Sequence, residues 1–222
     1  MEKMPFQPDV DVEPIVSTVP IVEGRPAIAA WRYGLPELAG SKVTLRELRR
    51  SDAPALFAAL TSQEVSRFIS PPPTTVDGFE RFIAWARQQR DAGQYVCFAV
   101  VPKNGDHAIG LFQIRALDPD FGVGEWGFAI ASEFWGTGAF VDGAKLALDF
   151  AFTAIGLHRL EARSATVNGR GNGALRKIGA TRECLLRRSF LRNGEYFDQV
   201  LWTMLAEDWL GAKAIWGSPI IH

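Results

Sequence analysis

Apolar and polar positions alternate through Val43-Thr44-Leu45-Arg46-Glu47-Leu48, a period of two that predicts a strand. Ser51-Asp52-Ala53-Pro54 then supplies an N-cap and a proline in the first turn, opening a helix through Leu60. A short second helix is expected around Glu64 to Phe68, ended by Pro71-Pro72-Pro73. Thr75 caps a third, in which Phe79, Phe82, Ile83 and Ala86 recur at helical spacing before Gly93 closes it. Strand-like runs follow at Tyr95 to Val101, Ala108 to Ala116 and Val123 to Ile130, with Asn104-Gly105 marking a hairpin. From Ala139 to Phe152 the chain is apolar except for a narrow stripe of Asp142, Lys145 and Asp149, the pattern of a mostly buried helix. Arg159 to Ala165 alternates again, and Asn168 to Ile178 is glycine-rich and then helical, ending at Gly179. Glu183 to Phe190 and Glu195 to Met204 flank Asn193-Gly194, a second hairpin signal.

Strand, helices, three antiparallel strands, helix, strand, helix and hairpin make a mixed, mostly antiparallel α/β sheet in one domain, residues 42–207. The crossover from Ile130 to Arg159 through a helix implies that those two strands run parallel. Residues 1–41 differ. Pro5, Pro8, Pro14, Pro20, Pro26 and Pro36 break any long helix, and Val and Ile are interleaved without a period. They read as an extended arm, with short strand pieces in Pro14 to Val22. Residues 208–222 form an apolar tail carrying Trp209 and Trp216. Arm and tail together raise a homodimer as one expectation.

Composition narrows the function. With 24 basic against 25 acidic residues, the chain lacks the basic footprint of a general nucleic-acid or membrane-surface binder. No run of 18 apolar residues suggests a membrane span, and the acidic, Pro-containing start is unlike a signal peptide. Two distant cysteines, Cys97 and Cys184, suit buried thiols in a reducing cytoplasm, with one disulfide left open. With three histidines, none near both cysteines in sequence, no metal-ligand spacing is visible. The expectation is a cytoplasmic protein without metal.

The chemistry is concentrated in Ser132-Glu133-Phe134-Trp135-Gly136-Thr137-Gly138-Ala139. A strand that turns through two glycines into a helix presents bare backbone amides to an anion, and the helix dipole favours negative charge there. Gly136 and Gly138 let the main chain come close to a bulky diphosphate. Gly122-Val123-Gly124-Glu125-Trp126-Gly127 matches G-x-G-x-x-G, but it continues into a strand instead of opening a helix, so it is no dinucleotide fingerprint.

Glu125-Trp126-Gly127-Phe128-Ala129-Ile130, Phe134-Trp135-Gly136-Thr137-Gly138, the long helix, Gly156-Leu157-His158-Arg159-Leu160-Glu161-Ala162, Asn168, and Lys177-Ile178-Gly179-Ala180 occur in the order seen in one family. Over residues 42 to 207 the chain resembles the GNAT superfamily of acyl-CoA-dependent N-acyltransferases, most nearly the branch that acetylates ribosomal-protein N-termini. The resemblance implies a central sheet splayed open beside Glu125–Ile130, helices on both faces, and acetyl-CoA as acyl donor. It further implies that the backbone of Phe128, Ala129 and Ile130 pairs with the pantetheine arm. Amides from Trp135, Gly136, Thr137, Gly138, Ala139 and Phe140 would hold the pyrophosphate. Asn168 stands at the family's coenzyme-contacting Asn, and Gly171 where Ser or Ala is common. Two positions depart from the pattern. Phe140 replaces a small residue, so its ring would crowd the coenzyme or tilt the helix. Leu175 stands where many members carry a Tyr that protonates the leaving thiolate, which leaves water, Cys184, Tyr196 or no acid at all.

An amine nucleophile is protonated at neutral pH, so transfer needs a proton acceptor. Glu125 is the candidate base, set among apolar residues on the strand that lines the acyl site; the other reading is an outward cross-strand ion pair. Phe68 and Ser70, in a stiff loop, are candidates for the acceptor-site wall. Trp126 is another, since Glu125 and Trp126 face opposite sides and only one of them can line the cleft. The expected activity is transfer of an acetyl group from acetyl-CoA to a primary amine by direct attack. A different donor such as succinyl-CoA, or a GNAT-like CoA-binding protein without turnover, are the alternatives.

Overall fold

The computed structural model describes residues 30–217, and the expected strand pieces in Pro14 to Val22 lie outside the described residues. One eight-stranded sheet organises the chain: β1 (Leu38–Ala39), β2 (Val43–Glu47), β3 (Tyr95–Pro102), β4 (Gly110–Ala116), β5 (Val123–Ile130), β6 (Arg159–Ala165), β7 (Thr181–Arg192) and β8 (Glu195–Leu205). Their spatial order is β1-β2-β3-β4-β5-β6-β8-β7. Neighbours are antiparallel except β5 and β6, which are parallel as the helical crossover requires. β1 lies within the stretch read as an arm and pairs through Leu38 and Ala39 with Leu45 and Thr44.

Helices cover both faces. On one side lie α1 (Ala53–Leu60), α2 (Gln63–Ser66) and α3 (Val76–Asp91), over a core that includes Leu56, Phe79, Ile83, Ala99 and Ala129. Thr75 caps α3, its hydroxyl accepting from the Gly78 amide at 3.0 Å. On the other side α4 (Ala139–Phe150), α5 (Gly169–Lys177) and α6 (Ala206–Gly217) cover a larger core around Phe98, Phe112, Trp126, Leu148, Leu160 and Trp202. The apolar run expected to be helical to Phe152 is α-helical only to Phe150, then widens into a π turn, Ala151–Ile155, that stops at Gly156 in the left-handed region.

Both ends of the described chain are anchored. Trp31 is buried edge-on against Phe121, ring centres 5.8 Å apart. Trp209, buried at the start of α6, donates its indole N–H to Asp149 of α4 at 2.7 Å. Asn193 and Gly194 hold the left-handed dihedrals that a two-residue hairpin needs, with φ of 51° and 80°. Cys97 is buried and Cys184 exposed, both as free thiols, and burial pushes the Cys97 thiol up to about 12.

The feature that positions the site is a fork. β5 pairs with β6 only at Val123/Arg159, Gly124/Leu160 and Glu125/Glu161. Beyond that step β5 stays on β4 as far as Ile130, while β6 stays on β8 as far as Ala165. The two strands therefore part over Trp126–Ile130.

Candidate functional site

A cavity of about 640 Å³ opens where the fork widens. Its walls are β5 at Phe128, Ala129 and Ile130, the turn Phe134–Gly138, the first turn of α4 at Phe140 and Val141, one face of α5, and Glu64, Val65, Arg67, Phe68 and Ile69. Residues expected from sequence that meet there are Phe68, Phe128, Ala129, Ile130, Trp135, Gly136, Thr137, Gly138, Phe140, Asn168 and Gly171. Ala139, Ser70, Trp126 and Glu125 are not among the lining residues.

Strand geometry decides what β5 offers. The Ala131 amide donates to Ile109 on the β4 side, so by alternation the backbone groups of Trp126, Phe128 and Ile130 point to the open edge of the fork. The Ile130 carbonyl is already taken by the Trp135 indole N–H at 2.8 Å, which folds the turn back over the end of the strand. The Phe128 amide and carbonyl and the Ile130 amide remain for an extended, amide-bearing ligand.

The turn offers a second set of donors. Gly136 and Gly138 have φ of 79° and 91°, in the left-handed region, and Gly138 is the N-cap of α4. The Trp135 amide bonds Ser132, Thr137 bonds Phe134, and Ala139 bonds the Thr137 hydroxyl. The amides of Gly136, Gly138, Phe140 and Val141 have no acceptor among the described residues. Four free amides at and just before the start of a twelve-residue helix are an arrangement suited to an anion. Arg170 and Lys177 add positive charge at the α5 wall, with the Arg170 guanidinium 3.9 Å above the Trp135 ring. The open strand edge and the amide-bearing turn border one cavity, an arrangement complementary to a molecule that joins an amide-bearing arm to a diphosphate, as coenzyme A does.

Phe140 takes a course the sequence does not reveal. Its ring packs 4.6 Å from Phe128 and 5.9 Å from Phe112, joining an aromatic cluster beneath the cavity, and α4 begins regularly at Ala139. Leu175 is 1 % exposed, part of the core on the α4 side, while Gly173, Ala174 and Lys177 are the α5 residues after Gly171 that face the cavity. Neither Cys184 nor Tyr196 lines it. Asn168 caps α5, its side-chain oxygen accepting from the Gly171 amide at 2.9 Å. A side chain at Gly171 would press into Asn168, with a Cβ only 2.4 Å from Nδ2.

Trp126 is 5 % exposed, stacked against Phe112 on the α4 side of the sheet. Glu125 faces the opposite side, with Gly127 and Ala129. Ala129 lines the cavity, and Glu125 lies about 13 Å from it along the strand, four residues at roughly 3.3 Å each. Its carboxylate bonds Arg115 on β4 and sits 3.6 Å from Arg163 on β6. Glu64 is the single carboxylate among the lining residues and makes no ion pair among the described residues.

Arg170 and Lys177 line the cavity without having been expected as site residues from sequence. Their spacing from Asn168 along a helix was a usable signal, since positions 170, 173–174 and 177 share one face. Glu64, Val65 and Arg67 carried no such signal. Among the described residues no group of three His, Cys, Asp or Glu side chains could hold a metal, and no helix is long and apolar enough to cross a membrane.

Comparison with known proteins gives the same picture. The family model described as "Acetyltransferase (GNAT) domain" matches residues 42–181. A Bacillus licheniformis protein described as an uncharacterized N-acetyltransferase, p20, is 25% identical over 171 residues, covering 77% of this chain and 96% of its own. Among solved structures, the ribosomal-protein-S5-alanine acetyltransferase of Vibrio fischeri superposes with a TM-score of 0.70 at 21% identity, covering 78% of this chain and 98% of that one. RimJ of Mycobacterium smegmatis, solved in complex with CoA-disulfide, gives 0.68 at 22% identity, covering 78% and 89%. At those identities the structures speak for the fold alone.

Proposed function

Because the chain belongs to the GNAT family of acetyltransferases, we propose that it moves an acetyl group from acetyl-CoA to a primary amine by direct attack. The observation that carries this reading is the set of four unpartnered amides, at Gly136, Gly138, Phe140 and Val141, at one end of the forked cavity. With the diphosphate on those amides, the pantetheine arm runs down the open edge of β5 past Ile130 and Phe128. That direction carries the thioester towards the closed end of the fork, at Glu125 and Glu161.

There the neutral amine nitrogen attacks the thioester carbon, a C–N bond forms, the C–S bond breaks, and the thiolate departs on coenzyme A. Burial of the reactants in the fork holds them in one orientation, which is where most of the rate gain is expected. The proton leaves the amine through water to Glu125, whose position near the apex supports the role, although its oxygens must first yield a contact with Arg115 or Arg163. The thiolate needs no side-chain acid and can take its proton from solvent. On the acceptor side, Glu64 is suited to attract an ammonium group towards Phe68 and Ile69. A protein N-terminus and a small amine both meet that requirement.

The test is thiol release from acetyl-CoA with a panel of amines and N-terminal peptides, beside calorimetric titration with CoA. Amine-dependent thiol release is the expected result. CoA binding without turnover on any amine would favour a binding protein, and faster release from succinyl-CoA would change the donor.

A further inference from the structure

We propose that Lys42 is the positioning residue of the diphosphate site: it holds the glycine turn in place and sets a positive charge behind it. This rests on the turn being the diphosphate site of coenzyme A. Lys42 lies 95 positions before the turn, at the mouth of β2, and its Nζ donates to the Thr137 carbonyl at 2.8 Å.

That one bond has two effects. In a helix begun a turn earlier, the Thr137 carbonyl would accept from the Val141 amide four residues on. Here Lys42 occupies the carbonyl, and the Val141 amide has no acceptor among the described residues. The Thr137 carbonyl is thus held by Lys42 while the amides of Gly138, Phe140 and Val141 stay unpaired among the described residues. The ammonium is also held close: a Cβ on Gly138 would lie 3.0 Å from Lys42 Cε and 3.3 Å from Nζ. Lys42 does not itself line the cavity, so its ammonium acts through the turn that it holds and through its positive charge behind that turn.

The main chain of Lys42 is fixed so that the side chain cannot drift. Its amide donates to Asp142 at 2.8 Å, and its carbonyl accepts from the Lys103 amide at 2.8 Å. Asp142, in the first turn of α4, keeps its negative charge, which these donors stabilise, and is turned to the backbone of residues 41–43. Its carboxylate takes the Ser41 amide at 3.2 Å, the Ser41 hydroxyl at 2.8 Å, and the amides of Lys42 and Val43 at 2.8 and 3.0 Å. One residue of α4 therefore anchors the segment that carries Lys42, and Lys42 in turn restrains the loop that opens α4.

The experiment is calorimetric titration of the full chain, as wild type, Lys42→Met and Lys42→Arg, with CoA and with 3′-dephospho-CoA. Because both ligands contain the diphosphate, Lys42→Met should raise the Kd of each by the same factor, about 10- to 100-fold for one lost charged hydrogen bond. Lys42→Arg, which keeps the charge, should lose less. A merely structural role predicts equal losses in the Met and Arg variants. Unchanged Kd in Lys42→Met overturns the proposal, as does a loss seen with CoA but absent with 3′-dephospho-CoA, which would assign Lys42 to the 3′-phosphate. If Lys42→Met does not fold, Lys42→Gln is read by the same two ratios. A wild type that binds neither ligand overturns the proposed function itself.

Discussion

Glu125 and Glu161 stand side by side at the last paired step between β5 and β6, and the fork begins beyond them. Two like charges on adjacent strands repel. Here each is compensated: Glu125 by Arg115 and Arg163, Glu161 by the Arg159 Nε at 2.9 Å. The chain thus spends an ordered set of charges at the apex of the fork, the end towards which an acyl group would be delivered.

Glu125→Gln keeps the shape of that apex but removes the proton acceptor. If Glu125 is the base, kcat falls by roughly 10²–10⁴-fold, the usual span for a general base, while CoA affinity is unchanged. Steady-state rates against pH separate this from a structural role, since loss of the base also removes the acidic limb of the profile. A variant with wild-type kcat would return the role to water or to Glu64, which Glu64→Gln would then test.

Gly138→Ala should raise the Kd for CoA by about tenfold or more. Alanine at φ 91° is strained by roughly 1–3 kcal/mol, and its Cβ would press on the Lys42 side chain instead of entering the cavity. Gly156→Ala is the control. It has a φ of 86° with no atom within 4 Å of its Cβ site, so it carries similar strain remote from the cavity-lining residues. Equal CoA affinity in both variants would remove the turn from the site.

Local signals carried most of the fold. Thr75 announces its helix by capping, Asn193-Gly194 announces its hairpin, and the two glycines of the turn announce a chain that bends into a helix with bare amides before any tertiary contact is known. What stayed hidden depends on residues far apart in the chain. The final hairpin could have met β6 through either strand; β8 takes that place because Val200, Trp202 and Met204 on it complete the core beneath α4, α5 and α6. Lys42 reaches Thr137 across 95 residues, and Arg192 at the hairpin tip reaches the Ser66 carbonyl across 126, at 2.9 Å. No periodicity records such contacts. The direction of the Phe140 ring was hidden for the same reason, since its partners Phe112 and Phe128 come from two other strands.

Asp52→Asn should destabilise the fold by about 3–5 kcal/mol, the cost of leaving a buried guanidinium without its counter-charge. Arg46 bonds both oxygens of Asp52 at 2.8 and 2.7 Å, with the two side chains 8% and 5% exposed. Burial alone would raise the carboxyl pKa; the Arg46 bonds and the Arg49 amide outweigh it and hold it below the ordinary value. Asp77→Asn breaks an exposed pair with Arg81 one helical turn away and should cost under about 0.5 kcal/mol. Denaturant melts of both variants would show the contrast, and similar midpoints would refute it.

Acid should weaken the fold partly through Glu183. The Arg159 guanidinium grips its carboxylate at 2.8 and 2.7 Å and the Thr203 hydroxyl adds a third bond at 2.8 Å, which together bring the pKa down to about 2 from an ordinary 4.5. The folded pKa lies below the unfolded one, so the stabilisation is complete above pH 4.5 and is lost as pH falls from there towards 2. Glu183 is partly exposed on the sheet face, so salt should shrink the effect by screening. Melting temperature followed from pH 5 down to 3 should therefore drop less steeply in Glu183→Gln than in wild type, with the two slopes converging in about 1 M salt. Parallel slopes at low salt would show that the Arg159 pair contributes nothing to acid sensitivity.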